Sequence, residues 1–128
     1  MESLFKSKNI EISLDSANNV LYCNWIGFQN KDLIMKSGAV ILDLVKKRKV
    51  SKVLNDNARV TGPWQEAAEW TSTVWFPDMM KAGLRHFAWI FSPNIFAELS
   101  AKKAMPSSDV VKAFNDYKAA HNWIVSQN

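Results

Sequence analysis

His86-Phe87-Ala88-Trp89-Ile90-Phe91, followed at once by Ser92-Pro93-Asn94, is a short run with hardly a polar side chain in it, closed by a turn signal. A half-buried strand would alternate apolar with polar residues. An unbroken apolar run of this length suits a strand covered on both faces, as in a mainly parallel sheet carrying helices.

The flanking sequence supplies those helices and the remaining strands. Upstream, Val50 to Asp56 is a second β-prone stretch that runs into a loop, Asn57 to Gly62, and Pro63 is placed to be the first residue of a helix. That helix would carry Trp64, Ala67, Ala68, Trp70, Thr71, Val74 and Trp75. Pro77 must kink or restart it, because proline lacks the amide hydrogen and its ring clashes with the previous turn. Before it, Leu33, Ile34, Ile41, Leu44 and Val45 recur at helical spacing between Asn30 and Lys49. The chain opens on Ile10, Ile12 and Leu14 in alternation, a polar turn, and the β-prone run Val20 to Ile26, which together read as a hairpin ended by Gly27.

Beyond the central run, Ile95 to Ala104 is helical in pattern and Pro106-Ser107-Ser108 breaks it. Val110 to Phe114 is a short last strand, and Asn115 or Asp116 caps a final helix through Ala120, Trp123 and Ile124. The order β, β, α, β, α, β, α, β, α predicts one α/β domain over residues 1–128. Its sheet is mostly parallel, has about five strands, begins with an antiparallel hairpin, and has helices packed on it.

Composition narrows the function classes. With 48% hydrophobic and 22% charged residues the chain has the makings of an ordinary globular core. The net charge of +4 is spread along the chain instead of clustering as a nucleic-acid footprint, so no nucleic-acid partner is expected. The single cysteine, Cys23, rules out an internal disulfide and a multi-thiolate zinc site, and no stretch is apolar enough to span a bilayer. A cytoplasmic location and no transmembrane segment are the expectations.

Val53-Leu54-Asn55-Asp56, Ala82-Gly83-Leu84 leading into the strand at Phe87, and Ala113-Phe114-Asn115-Asp116 followed by Ala119, Ala120 and Trp123, together with the opening hairpin, resemble the SpoIIAA-like family. That fold is shared with STAS and CRAL-TRIO lipid-transfer domains. The resemblance covers nearly the whole chain and implies a non-enzymatic binding or regulatory module in bacteria. In anti-sigma-factor antagonists of this fold a serine preceded by aspartate, in the loop after the third strand, is phosphorylated. Here Asp56 matches the aspartate, but Asn57 to Gly62 holds no serine and only Thr61 as a hydroxyl. A phosphorylation-responsive antagonist acting through Thr61 is therefore the alternative reading.

No catalytic motif is present. His86 and His121 lack motif-like partners, Cys23 reads as a small buried residue, and Glu66 and Glu69 fit a solvated face. No metal site, cofactor or catalytic residue is assigned, and an enzyme with an unrecognised site is the remaining alternative. The basic run Lys46 to Lys49 with Lys52 reads as a solvated helix end complementing the dipole.

The six tryptophans stand out for a chain of this length. At about 100° per residue, Trp64, Ala67, Thr71, Val74 and Trp75 share one side of the helix, while Trp70 falls on a flank. The expected binding residues are Trp64, Trp70 and Trp75, with Asp56 and Thr61 as a polar edge at the carboxyl end of a parallel strand. What they would hold is a small apolar or lipid-like ligand, a regulatory protein partner, or a second copy in a homodimer.

Overall fold

The computed structural model describes every residue from Met1 to Asn128. Its sheet has six strands in the order of the chain: β1 Glu2–Lys6, β2 Ile10–Asp15, β3 Val20–Gly27, β4 Lys52–Val60, β5 His86–Ile90 and β6 Val111–Phe114. β1, β2 and β3 pair antiparallel; β3 to β6 are parallel neighbours. The α/β architecture with an opening hairpin is therefore as the sequence predicts, extended by β1, whose half-exposed residues give it little apolar signal.

Four helices join or follow these strands. α1 is Lys31–Arg48; α2 occupies residues 65–81; α3 is Ile95–Ala104; α4 is Tyr117–Val125. Side-chain caps set three of the starts. Asn30 Oδ1 accepts from the Leu33 amide at 2.8 Å, Asn94 Oδ1 from those of Phe96 and Ala97, and Asp116 Oδ1 from that of Ala119 at 2.8 Å. Each such cap is worth ~1 kcal/mol against alanine.

Because β3 to β6 step across the sheet in one direction, crossovers of a single hand lay their helices on the same face. α1, α2 and α3 accordingly share one core with Leu21, Cys23, Trp25, Val53, Phe87 and Trp89. The opposite face carries only α4, whose Ala120 and Ile124 rest on Val20, Leu54, Ala88 and Ile90. Lys52 is buried at the start of β4 and donates from Nζ to the Gln127 carbonyl at 3.2 Å, so it does not join the exposed basic end of α1.

α2 departs from a plain helix. It begins with a 3-10 turn (Gln65–Ala67), passes through one α turn (Ala68–Trp70) into a π segment (Thr71–Trp75), and ends as α-helix (Phe76–Lys81). The Phe76 amide donates to the Thr71 carbonyl, five residues back. The restart expected at Pro77 thus takes the form of a wide turn. On a regular helix Phe76 would lie about 120° from Trp64 and Val74 would lie nearer to it. The π residues each rotate by less, so Phe76 swings fully inside while Val74 turns out, 44% exposed. Val74 is therefore not part of the core stripe to which regular spacing assigns it.

Candidate functional site

β4 pairs on both sides and is the central parallel strand of the site. It runs to Val60, four residues beyond the end predicted at Asp56, so Asn57, Ala58 and Arg59 belong to the strand and not to a loop. Its pairing with β3 slips between Asn24 and Ile26, where Asn24 faces Asp56 but Ile26 faces Arg59. One residue of β4 is thus extra. Ala58 and Arg59 are both exposed between the inward Asn57 and Val60, which is the signature of a bulge.

Asp56 holds that bulge in place. Its Oδ1 accepts from the Ala58 amide at 2.9 Å and its Oδ2 from the Tyr22 hydroxyl at 2.7 Å. Burial and this hydrogen bond to the carboxylate push the Tyr22 phenol well above its ordinary range. Asp56 therefore lies on the α4 side of the sheet, while its neighbours Asn55 and Asn57 point to the other side, toward α1 and α2.

There they floor a cleft between α1 and α2. Five of the six tryptophans line it: Trp25 from β3, Trp64, Trp70 and Trp75 from the α2 region, and Trp89 from β5. Ile34 and Gly38 of α1 close one side; Gln29 and Thr71 add polar groups. The empty space, mouth included, is about 420 Å³, with about 40 Å³ in which a water-sized sphere can sit. No charged residue lines it.

Close packing shapes the cleft. Gly38 lets two indoles approach α1, since a Cβ there would lie 3.0 Å from Trp75 Nε1 and 3.1 Å from the Trp70 ring. The Trp75 indole donates to the Gly38 carbonyl at 2.8 Å, and the Trp25 indole donates to Asn55 Oδ1 at 2.8 Å. Gln29 is held by Asn9, which donates to Gln29 Oε1 and to Ser37 Oγ. Glu66 also proves more than a solvated carboxylate, because it accepts from the Lys31 amide at 3.2 Å and links α2 to the first turn of α1. Trp64 stacks on Trp89 with ring centroids 6.2 Å apart.

Not every donor of these walls is paired, and Trp89 is the buried case. It is 2% exposed, and its indole N–H has no hydrogen-bond partner.

The expected tryptophans, Trp64, Trp70 and Trp75, do meet in this cleft, whereas Asp56 lies across the sheet and Thr61 is exposed beyond β4. Trp70 is half-buried and its ring edge faces Gly38, which agrees with its place on the flank of α2. Trp25, Trp89, Asn55 and Asn57 were outside the expected set. The signal that could have found the asparagines is Asn55-Asp56-Asn57 itself: amides two apart in a buried strand share one face.

The histidines face aromatic neighbours, His86 against Trp123 and His121 against Tyr117. Cys23 is wholly buried, which pushes its thiol far above the ordinary range and keeps it protonated. No helix is long and apolar enough to cross a membrane. Compared with protein-family models, curated proteins and solved structures, the chain matches none.

Proposed function

We propose that this chain is a non-enzymatic binding module that holds a small, flat, apolar ligand between α1 and α2. The observation that carries the reading is the gathering of five tryptophans around one uncharged cleft over the carboxyl halves of parallel strands. A concave, mostly aromatic site with a few fixed polar groups is the usual form of a small-molecule pocket. The sheet order, with three helices on one face and a hairpin at its edge, is in keeping with the fold that the SpoIIAA-like resemblance implies.

The test is Trp70→Ala. Trp70 is a wall of the cleft but only half-buried, so its loss should remove binding while leaving most of the stability. Native mass spectrometry of freshly purified protein, and thermal shifts with one- and two-ring aromatic molecules, give the readout. A bound molecule at 100 times its Kd should raise stability by about 2.7 kcal/mol in the wild type and far less in the variant. If no such molecule is retained or stabilising, or if Trp70→Ala binds equally well, the reading fails.

A second reading, recognition of a regulatory protein, is favoured by one separate feature. α3 presents Ile95, Phe96 and Leu99 to solvent, an apolar patch on a helix whose other side is buried.

A further inference from the structure

From the space in the cleft and the ties of its walls we infer that Trp70 is a gate. Its ring plugs the notch over Gly38 in the free protein, leaves it when a ligand enters, and then covers that ligand as its outer wall, all of which rests on the reading of the cleft as a ligand site.

Size sets the requirement. An engineered apolar cavity that takes up benzene measures about 150 Å³. The space open to a water-sized sphere here is about 40 Å³, enough for water and too little for a ring. Packed side chains hardly compress, so a flat ligand enters only when a wall moves.

Four of the five indoles are tied down. Trp25 donates to Asn55 Oδ1 at 2.8 Å. Trp75 donates to the Gly38 carbonyl at 2.8 Å and meets Phe76 and Phe87 edge to face. Trp64 stacks on Trp89, and its backbone amide donates to Ser100 Oγ at 2.9 Å. Trp89 also meets Phe76, Phe87 and Phe91. All four are 7% exposed or less. The Trp70 indole has neither a ring partner nor a hydrogen bond, and it alone of the five is half-buried.

Shape is what holds Trp70. Its ring edge would lie 3.1 Å from a Cβ at position 38, an approach that glycine makes free. Dispersion over a ring edge is the weakest of the holds around this cleft. Turning the ring outward vacates a notch bordered by Ile34 and Gly38, and stacking on the incoming ligand replaces the contact given up.

The test is a titration of the whole chain with indane, read by calorimetry and by nuclear Overhauser effects. In the free protein the Trp70 and Trp75 rings should both show cross-peaks to the Gly38 Hα protons. At saturation the Trp70 cross-peak should be lost and the Trp75 cross-peak kept. Trp70→Phe leaves an aromatic cover too short to fill the notch, and it should bind indane about tenfold more tightly, as when a state populated at about 10% becomes the resting one. If that variant does not fold, the wild-type cross-peaks decide alone. Indane bound with the Trp70–Gly38 contact intact, loss of the Trp75 contact as well, or no gain in affinity in a folded Trp70→Phe overturns the gate and leaves the cleft a ligand site. Binding of indane to neither protein overturns both.

Discussion

On one side of the sheet a core of 25 buried residues joins three helices to four strands, while on the other a cluster of six joins α4 to three. The same strands build both, because alternate residues of β4 serve alternate faces. Asn55 and Asn57 go to the tryptophan side and Asp56 to the α4 side. Their fates differ in an instructive way. Asp56 accepts two short hydrogen bonds and shapes the strand, whereas the amides across from it line the cleft, and each face keeps buried polar atoms unpaired, the Trp89 indole N–H on the tryptophan side and Asn24 Oδ1 and His86 Nδ1 on the other.

The largest expected effect tests which face carries the fold. Trp75→Ala should cost ~3–5 kcal/mol in urea unfolding, against about 2 kcal/mol for Ile124→Ala on the smaller cluster. Equal costs would erase the contrast between the faces.

Asp56→Ala should follow, at about 1.5–3 kcal/mol, since it strips a charged acceptor from both the Tyr22 hydroxyl and the bulge amide of Ala58. It should also shift the Asn57 amide resonances although Asp56 lies on the other face. A variant that loses stability with Asn57 unmoved would mean that the bulge does not depend on Asp56.

Gly38→Ala should be milder. The new methyl would crowd Trp75 and Trp70 at 3.0 and 3.1 Å, an overpacking cost of ~1–3 kcal/mol, offset by nearly 1 kcal/mol of better helix propensity. A net loss near 1 kcal/mol with altered tryptophan fluorescence is expected. Unchanged fluorescence would show that the two indoles are not held by α1.

The smallest effect appears in alkali. Tyr22 titrates higher in the folded than in the unfolded chain, so its contribution is complete below about pH 10 and is lost as pH rises further, where only the unfolded state releases the proton. The buried Cys23 thiol behaves alike from a somewhat lower pH, so the comparison belongs in a Cys23→Ala background. There Tyr22→Phe should flatten the decline of stability between pH 10 and 12 by less than about 1.4 kcal/mol per pH unit. An unchanged slope would detach Tyr22 from Asp56.

Hydrophobic periodicity carried most of this fold. The apolar run at Phe87 and the alternation at Ile10, Ile12 and Leu14 encode their strands directly, because burial on two faces or one writes itself into residue order. Besides β1, two features escaped it. β4 continues through Asn57 to Arg59 because a bulge lets polar residues stay in the sheet, and no propensity scale registers that. Phe76 and Val74 exchange places because regular spacing assumes a constant rotation per residue, which the π segment breaks. For the site, the crowd of tryptophans was legible and its polar members were not. Asp56 and Asn57 are adjacent and alike in polarity, and only the sheet decides that they face opposite ways.

The wide turn in α2 also has a genetic meaning. A π segment is an α-helix holding one residue too many, and here the surplus lies just ahead of Pro77, the residue least suited to a regular helix. Deleting Thr73, an exposed position, would restore ordinary winding and leave Phe76 and Met79 in phase with Thr71, but it would press the proline ring against the preceding turn at a cost of ~3 kcal/mol. Pro77→Ala would lift that penalty. The deletion and the substitution should therefore be tolerated together far better than the deletion alone, as paired thermal unfolding curves would show, so that insertion and proline form one heritable unit.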